Sequence, residues 1–460
     1  MARDVILSEA KNPCATRHDS SACGLRMTSQ GKANAAGVHY AARSLNRAPG
    51  CAALLHHSHS DPAPASLGSR RSTAATVPAE HPLSPLIWLL LALAVAGAVL
   101  LTVRGLDTSR APRETPATTV SLTVETDSSR DHVIDGPWYE LMLTSPRFPA
   151  GMATGDGLDE RIVAFMNRSR RTLDVAIYEF NLRNVAQAMA GAADRGVRVR
   201  MVTDSDTLND RDAATQSALD VVRSAGIPIV ADGRRALMHD KFTIVDGEWV
   251  EMGSANYTDR DAYRNNNNAM IIQSRPLAEN YTAEFEKMFS GQFGQAKPRG
   301  VPHPVFSLAG SRVENYFAPE DRPATHVARW MSAARQRIHF MAFAFTLDAL
   351  GDAALQRSRA GVEVGGVFEA GEARNNFSEF RRLKEAGLDV MLDGNPWNLH
   401  HKVIVIDDRV SIFGSFNFSA SADRENDENL LIVEDVGLAR AFEEEYQRVR
   451  ALAVSPVGVQ

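Results

Sequence analysis

The hydrophobic positions of the chain fall into two kinds of pattern, and the first is an unbroken uncharged run at 86–103. Its 18 residues would extend about 27 Å as a helix, close to the thickness of the hydrocarbon core of a bilayer. A buried helix of a globular domain is the alternative, but such a helix normally keeps a polar face. The run therefore predicts a transmembrane helix over residues 83–104, with Trp88 as an interfacial anchor.

From residue 137 onward, short apolar runs alternate with amphipathic helical stretches, and the whole alternation occurs twice. The paired helical stretches are 159–170 with 325–335, and the paired strands are 173–180 with 338–345 and 197–203 with 362–369. Gly196 and Gly361 stand where the helices between these strands should end. The pattern predicts an α/β fold of two pseudo-symmetric repeats, 137–300 and 301–460, each a largely parallel sheet flanked by helices.

The segments outside these patterns lack periodicity. Residues 1–82 are rich in Ala, Ser, Gly, Arg and Pro and hold nine Lys or Arg against five Asp or Glu, which predicts a disordered basic tail. Residues 105–136 are rich in Thr, Ser and Pro and are predicted to be a linker. All the cysteines, Cys14, Cys23 and Cys51, lie in the tail, which excludes a disulfide or a thiolate metal site in the repeats.

One pattern of polar residues occurs once in each repeat. The first copy consists of His239, Lys241, Asp246, Gly253, Ser254 and Asn256, and the second consists of His400, Lys402, Asp407, Gly414, Ser415 and Asn417. Every member is separated from its counterpart by 161 residues. A single His-x-Lys would be compatible with an ordinary surface strand, but six matching positions at one offset indicate a function.

The residue types in this pattern suit phosphoryl transfer. His and Lys at i and i+2 of a strand share one face and so present together. Cleavage of a phosphodiester needs a nucleophile, a proton donor for the leaving oxygen and stabilisation of the phosphate charge. One histidine can attack while the other donates a proton, and the lysines and the Ser and Asn side chains can hold phosphate oxygens. Because each repeat supplies one histidine, we predict an active site between the repeats, with no metal and no other cofactor.

At these residues the chain resembles the phospholipase D superfamily, whose signature is H-x-K-x4-D followed by G-S-x-N. The resemblance covers roughly residues 137–450 and implies a two-repeat phosphodiesterase with a phosphohistidine intermediate. The strings at 238–241 and 414–419 are most similar to the bacterial nuclease and mitochondrial cardiolipin hydrolase branch, whose members carry one motif per chain and dimerise. Both motifs are present in this chain, so we expect that the active site needs no obligate oligomer.

The two copies differ in the segment that follows the motif along the chain. Glu428 lies in the segment 425–429, whereas the aligned position in the first copy is Asn267. In the family an acid at this position often orients a catalytic histidine and can reach the opposite repeat. The resemblance therefore implies that His239 is the nucleophile, oriented by Glu428, and that His400 is the general acid that later activates water. A polar loop in front of a strand is the alternative interpretation of both segments.

Charge and the apolar run bear on the substrate and the location. The chain beyond the basic tail carries a net charge of about −10, which is unlike a general polyanion binder. With the membrane helix, this charge favours a phospholipid substrate; the nuclease-like strings keep DNA or RNA as an alternative, and an inactive membrane-tethered scaffold is a third. The basic tail favours a cytoplasmic N-terminus and an extracytoplasmic catalytic region of a single-pass protein, although arginines flank the run on both sides.

Overall fold

The computed structural model describes residues 131–146 and 157–454. The predicted basic tail, the predicted transmembrane helix at 83–104 and nearly all of the predicted linker lie outside these residues. Among the helices inside them, none combines the length and the apolar character that crossing a membrane requires. The described residues comprise the two repeats, which belong to one compact unit.

The first repeat starts with a hairpin and then alternates helices with strands. Its strands are β1 His132–Asp135, β2 Tyr139–Leu143, β3 Thr172–Ile177, β4 Arg198–Thr203, β5 Ile229–Ala231, β6 Lys241–Val245, β7 Trp249–Gly253 and β8 Asn268–Gln273. Its helices are α1 Leu158–Met166, α2 Arg183–Asp194, α3 Ser205–Asn209, α4 Ala213–Ser224, α5 Asp259–Tyr263 and α6 Arg275–Phe289, followed by a 3-10 turn at Gly294–Ala296.

The second repeat follows the same sequence of elements. Its strands are β9 Val305–Leu308, β10 Ser311–Ala318, β11 Arg337–Ala342, β12 Glu363–Phe368, β13 Asp389–Leu392, β14 Lys402–Ile406, β15 Val410–Gly414 and β16 Glu428–Glu434. Its helices are α7 Pro323–Ala333, α8 Asp348–Arg359, a 3-10 turn Glu372–Arg374, α9 Glu379–Glu385, α10 Ala420–Arg424 and α11 Val436–Val454. Gly196 and Gly361 follow α2 and α8 with φ of 85° and 87°, which confirms their predicted place at helix C-termini.

The strand order shows the symmetry of the two repeats. The first sheet runs β1-β2-β8-β7-β6-β3-β4-β5, and the second runs β9-β10-β16-β15-β14-β11-β12-β13. Every strand of the first sheet has its counterpart at the same place in the second. The predicted α/β fold of two pseudo-symmetric repeats is therefore confirmed.

The direction of the strands corrects one detail of that prediction, because both sheets are mixed. Among the described strands, the parallel pairs are β3 with β4, β4 with β5, β11 with β12 and β12 with β13. The central pairs β6 with β7 and β7 with β8 are antiparallel, and so are β14 with β15 and β15 with β16. Only a short turn separates β6 from β7, and a parallel pairing would need a crossover of a dozen or more residues.

A shared apolar core joins the repeats. The long helices α6 and α11 contribute to it, together with residues of both sheets. Tyr281 of α6 packs edge-on against Phe242 of β6 at 4.9 Å and against Phe317 of β10 at 5.0 Å between ring centroids. Two further cores lie within the second repeat and within the first repeat. The central core fixes the two sheets relative to each other and so positions the motif-bearing strands β6 and β14.

Candidate active site

The two motif histidines lie at the junction of the repeats. His239 lies two residues before the start of β6, and its backbone N–H donates to the carbonyl oxygen of Asp427 at 2.9 Å. His400 precedes β14, and its N–H donates to the carbonyl oxygen of Asn266 at 2.9 Å. Each motif is thus hydrogen-bonded to the other repeat, just in front of β16 or β8.

Each histidine is also held at Nδ1 by side chains of the other repeat. His239 Nδ1 lies 2.7 Å from Glu428 Oε2. His400 Nδ1 lies 2.8 Å from Asn267 Oδ1 and 3.2 Å from Asp261 Oδ1. These oxygens act as acceptors, so each Nδ1 carries a hydrogen and Nε2 is left as the nitrogen for reaction.

The motif lysines are buried beside the histidines. Lys241 Nζ donates to the carbonyl oxygen of His239 at 2.9 Å, and Lys402 Nζ donates to that of His400 at 2.7 Å. Each ammonium has two further hydrogens that these bonds leave over. Lysine side chains so placed can hold the oxygens of an anion in the site.

The electrostatic effects cross from one repeat to the other. Burial lowers the pKa of His239 well below its usual value and that of His400 to about 3. The charge of Lys402 lowers the pKa of His239 further, and the charge of Lys241 lowers the pKa of His400 further. Burial also lowers the pKa of Lys241 to about 8 and raises that of Glu428 to about 8. These groups therefore form one electrostatic cluster, in which both histidines are neutral before substrate arrives.

The motif serines, predicted to bind phosphate, are occupied elsewhere. Ser254 Oγ donates to Asn267 Oδ1 at 2.9 Å, and Ser415 Oγ donates to Glu428 Oε2 at 2.7 Å. Each hydroxyl has one hydrogen to donate, and both serines are fully buried. In this structure the serines support the side chains that hold the histidines, and their binding of phosphate stays a prediction.

The preceding glycines explain why the serines reach so deep. A Cβ on Gly253 would lie 2.2 Å from the carbonyl oxygen of Asn268, and one on Gly414 would lie 2.2 Å from that of Asn429. Any side chain there would force β7 away from β8, or β15 away from β16. Both glycines therefore allow a close backbone approach that a side chain would prevent.

The motif asparagines differ between the repeats. Asn256 Nδ2 donates to Asp261 Oδ2 at 3.2 Å. Asn417 Oδ1 is buried without a hydrogen-bond partner among the described residues. Of the two amides, Asn417 is therefore better placed to change partners when a phosphate enters.

The motif aspartates lie away from the histidines. Asp246 follows β6, whose five residues span roughly 16 Å, and its carboxylate accepts the backbone N–H groups of residues 170–172 at 2.7–3.2 Å. Asp407 accepts those of residues 335–337 at 2.7–3.0 Å. Both carboxylates tie the turn after a motif strand to the start of the neighbouring strand. These contacts give Asp246 and Asp407 a structural role, and the catalytic role predicted for them from the motif stays a prediction.

Three side chains of the site were not predicted. Asp261 is one of them, and its only sequence signal is that it breaks the repeat, since the counterpart at the same offset is Ala422. Tyr178 and Phe343 follow β3 and β11, and their rings lie 4.9 Å from those of His239 and His400. The signal for the aromatics was their matching place at the ends of aligned strands.

Within residues 131–146 and 157–454, no group of three or more His, Cys, Asp or Glu side chains is arranged to hold a metal ion. Lys241 and Lys402 are the side chains beside the histidines that can supply positive charge, and burial lowers the pKa of both.

Comparison with known proteins identifies the family. The family described as "Cardiolipin synthase, PLD-like domain" matches residues 162–289 and 327–450, more than half of the chain. A mitochondrial cardiolipin hydrolase of Xenopus tropicalis is 34% identical over 134 residues, which are 29% of this chain and 62% of that protein. A phospholipase D of Rickettsia bellii is 34% identical over 146 residues, 32% of this chain and 72% of that protein.

A solved structure extends the likeness to both repeats. The phosphatidylserine synthase of Haemophilus influenzae Rd KW20 superposes with a TM-score of 0.52 at 13% identity, covering 70% of this chain and 88% of that one. At this identity the likeness concerns the fold alone. Together with the matching family, the paired motifs and the symmetric sheets, it leads to one conclusion: the chain belongs to the phospholipase D superfamily.

Proposed function

We propose that the protein is a membrane-anchored phosphodiesterase of the phospholipase D type, which hydrolyses phospholipid head groups through a phosphohistidine intermediate. The observation that carries the proposal is the pair of histidines, each held at Nδ1 by an acceptor of the other repeat. Such fixation sets one tautomer and one ring orientation and leaves both Nε2 atoms for chemistry. Two lysines beside them supply the charge that a phosphodiester needs.

The reaction follows from these positions in two steps. In the first, Nε2 of His239 attacks phosphorus, the bond from phosphorus to the leaving oxygen breaks, and His400 gives its Nε2 proton to that oxygen. In the second, His400 takes a proton from water, the water oxygen attacks phosphorus, and the bond from phosphorus to His239 breaks. Lys241 and Lys402 hold the phosphate oxygens throughout, and the charge of the bound phosphodiester raises the pKa of His400 so that it can carry the proton.

The roles are assigned by the Nδ1 partners. A histidine that becomes N-phosphorylated carries positive charge on its ring for the lifetime of the intermediate. His239 has the shorter contact to a carboxylate, 2.7 Å from Glu428, whereas His400 is held at 2.8 Å by the neutral amide of Asn267. His239 is therefore assigned as the nucleophile and His400 as the general acid.

A phospholipid is the substrate class that the surroundings favour. The relatives are named as a cardiolipin hydrolase and as phospholipases D. Phe377, in the loop between β12 and α9, is 77% exposed, and Glu372 of the same loop acts on the pKa of Lys402, so this loop lies beside the site. Aromatic side chains bury readily in the interface of a bilayer, so an exposed Phe377 at that place suits contact with a lipid surface. The apolar run at 86–103 would anchor the domain at the membrane, with the catalytic region on the extracytoplasmic side.

An endonuclease is the second candidate, and one contact favours it. The guanidinium of Arg264 lies 5.3 Å from the ring of Trp397, three residues before His400. Aromatic and arginine side chains at the rim of a basic site can stack nucleic-acid bases.

The test compares substrates on the full-length protein in detergent-solubilised form with EDTA present. Phosphatidylcholine, cardiolipin and single-stranded DNA are supplied in parallel, with the His239→Ala/His400→Ala double variant as the background. Release of choline, or of phosphatidate from cardiolipin, without cleavage of DNA is the expected result. Cleavage of DNA alone would show that the protein is a nuclease. The absence of activity on all three substrates would favour the inactive scaffold.

The intermediate is tested separately by a rapid quench in denaturant at mildly alkaline pH, where the P–N bond of a phosphohistidine is stable, followed by peptide mapping during turnover of lipid labelled in its phosphatidyl group. The expected label is on the peptide that contains His239. A label on the peptide that contains His400 would reverse the two roles, and no label on either would refute the covalent pathway.

A further inference from the structure

The two repeats place a carboxylate at different positions around the same site. At the offset of 161 residues, Asn267 of the first repeat matches Glu428 of the second, and Asp261 of the first matches Ala422 of the second. Each repeat thus has one acid among these two positions, but not at the same one. In the first repeat the acid therefore stands six residues earlier than in the second.

The backbone around the two positions is the same in both repeats. Thr258 precedes α5 with φ −127° and ψ 153°, and Ser419 precedes α10 with φ −133° and ψ 159°. Both hydroxyls accept the N–H three residues on, from Asp261 and from Ala422 respectively. Because Ser419 caps its turn with Ala422 at the position that matches Asp261, the turn itself does not need the carboxylate of Asp261.

The carboxylate of Asp261 is directed at His400 and fully partnered. Its Oδ1 lies 3.2 Å from His400 Nδ1 and accepts Nδ2 of Asn267 at 2.7 Å. Its Oδ2 accepts Thr258 Oγ1 at 2.7 Å and Nδ2 of Asn256 at 3.2 Å. The residue is 2% exposed, and an ionised carboxylate at such depth requires partners of this kind.

The amide of Asn267 has only one orientation that fits these contacts. Since Nδ2 donates to Asp261, Oδ1 must face His400 Nδ1 and accept its hydrogen. Asp261 therefore acts on His400 in two ways, directly through Oδ1 and by turning the amide of Asn267.

From this arrangement we propose that Asp261 is the positioning residue for His400, and that it replaces the carboxylate which Glu428 supplies to His239. The assignment of His400 as general acid rests on the function proposed above. Burial alone would raise the pKa of Asp261, but His400 and the hydrogen bonds of Thr258 and Asn265 outweigh it and lower the pKa, so the group is ionised. The carboxylate in turn favours the protonated form of His400.

The test moves the carboxylate back to the symmetric position in the full chain. Asp261→Ala should lower kcat by about 10- to 100-fold, the size expected for part of an acid's contribution. The variant Asp261→Ala/Asn267→Glu rebuilds the pair found in the second repeat and should recover most of the lost kcat. Asp259→Asn, an exposed acid on the same turn, is the matched control and should behave as wild type.

Two further readouts separate positioning from mere stability. A general acid must be protonated, so activity falls as pH rises through its pKa; losing Asp261 lowers that pKa, and the alkaline limb of the kcat profile should move to lower pH. Nitrogen NMR of the full chain saturated with inorganic phosphate, whose charge raises the pKa of His400 towards the measurable range, should show that pKa lowered in Asp261→Ala and restored in the relocation variant, whether or not any substrate is turned over.

A relocation variant that folds as wild type but stays as slow as Asp261→Ala would overturn the proposal, and so would an unchanged pKa of His400. If His400 responds as expected while the wild type turns over neither lipid nor DNA, the positioning role stands and the proposed function fails.

Discussion

Glu428→Gln removes an ionisable group from the centre of the site without changing the shape of the side chain. Glu428 is fully buried, and one oxygen, Oε2, accepts both His239 Nδ1 and Ser415 Oγ. A glutamine can keep an acceptor for these two donors only by placing its amide nitrogen elsewhere. It cannot stabilise positive charge on His239.

The effect on catalysis should be large. Loss of the carboxylate behind a catalytic histidine lowers kcat by roughly 10³-fold or more, as for the corresponding change in serine proteases. This is about 4 kcal/mol of transition-state stabilisation. KM should change little, because Glu428 does not contact the phosphate.

The effect on stability should have the opposite sign. Burial raises the pKa of Glu428 from 4.5 to about 8, so folding favours the protonated form. That contribution is complete below the unfolded pKa and is lost as pH rises through the folded pKa. Above pH 8, ionised Glu428 should cost the wild type on the order of 5 kcal/mol, a cost that the glutamine variant does not carry.

The assay is denaturant unfolding at about pH 5 and about pH 9 alongside steady-state kinetics on the preferred substrate. We expect Glu428→Gln to be more stable than wild type at the higher pH, with a smaller difference at the lower pH. Glu425→Gln, an exposed acid three residues earlier, is the control and should leave both measurements unchanged. A variant that is less stable at pH 9, or that keeps near-normal kcat, would refute the reasoning.

Four other outcomes are expected. His239→Ala and His400→Ala should each lower turnover by about 10²-fold or more, and mixing the two purified variants should not restore activity; restoration would show that sites form between chains. Activity should survive saturating EDTA, and its loss with recovery on adding one divalent ion would contradict the lysine-based site. Phe377→Ser should reduce the turnover of lipid in vesicles but leave the turnover of short-chain monomeric lipid unchanged. Equal losses on both substrates would show that this loop does not contact the membrane. Asp246→Ala should lower the free energy of unfolding by about 2 kcal/mol through lost amide hydrogen bonds, while the folded fraction keeps its kcat; a selective loss of kcat would return Asp246 to the catalytic set.

The repeats could be predicted because they rest on periodic patterns. Apolar runs and the recurring His-x-Lys spacing depend on local geometry, since a strand fixes which side chains share a face. The family resemblance added the contact between Glu428 and His239, which the structure shows at 2.7 Å. Such patterns could not predict strand direction, because the same apolar run is compatible with a parallel and with an antiparallel strand.

The side-chain contacts of the motif were less predictable than its spacing. Ser254 and Ser415 have the right chemistry to bind a phosphate. Because Gly253 and Gly414 allow a close approach to the neighbouring strand, the serines instead lie against that strand and hydrogen-bond to Asn267 and Glu428. Asp246 and Asp407 share the spacing of the catalytic residues and face the other end of the sheet. In these cases the outcome depends on which backbone groups lie nearby in the fold, and spacing along one strand does not contain that information.

Joining both repeats in one chain allows the two histidines to be unlike. A homodimer of one repeat would give both histidines the same Nδ1 partner, whereas here His239 faces a carboxylate at 2.7 Å and His400 faces an amide at 2.8 Å with the carboxylate of Asp261 at 3.2 Å. The difference fits the two tasks. The nucleophile keeps a positive ring while it carries the phosphoryl group, so a close carboxylate lowers the energy of the intermediate. The acid must release its proton to the leaving oxygen, and a carboxylate as close as Glu428 would hold that proton more tightly. A weaker, partly indirect contact at His400 therefore favours proton transfer. For this reason Asp261→Ala/Asn267→Glu, which puts a close carboxylate behind His400, should recover most of the kcat lost in Asp261→Ala but not all of it.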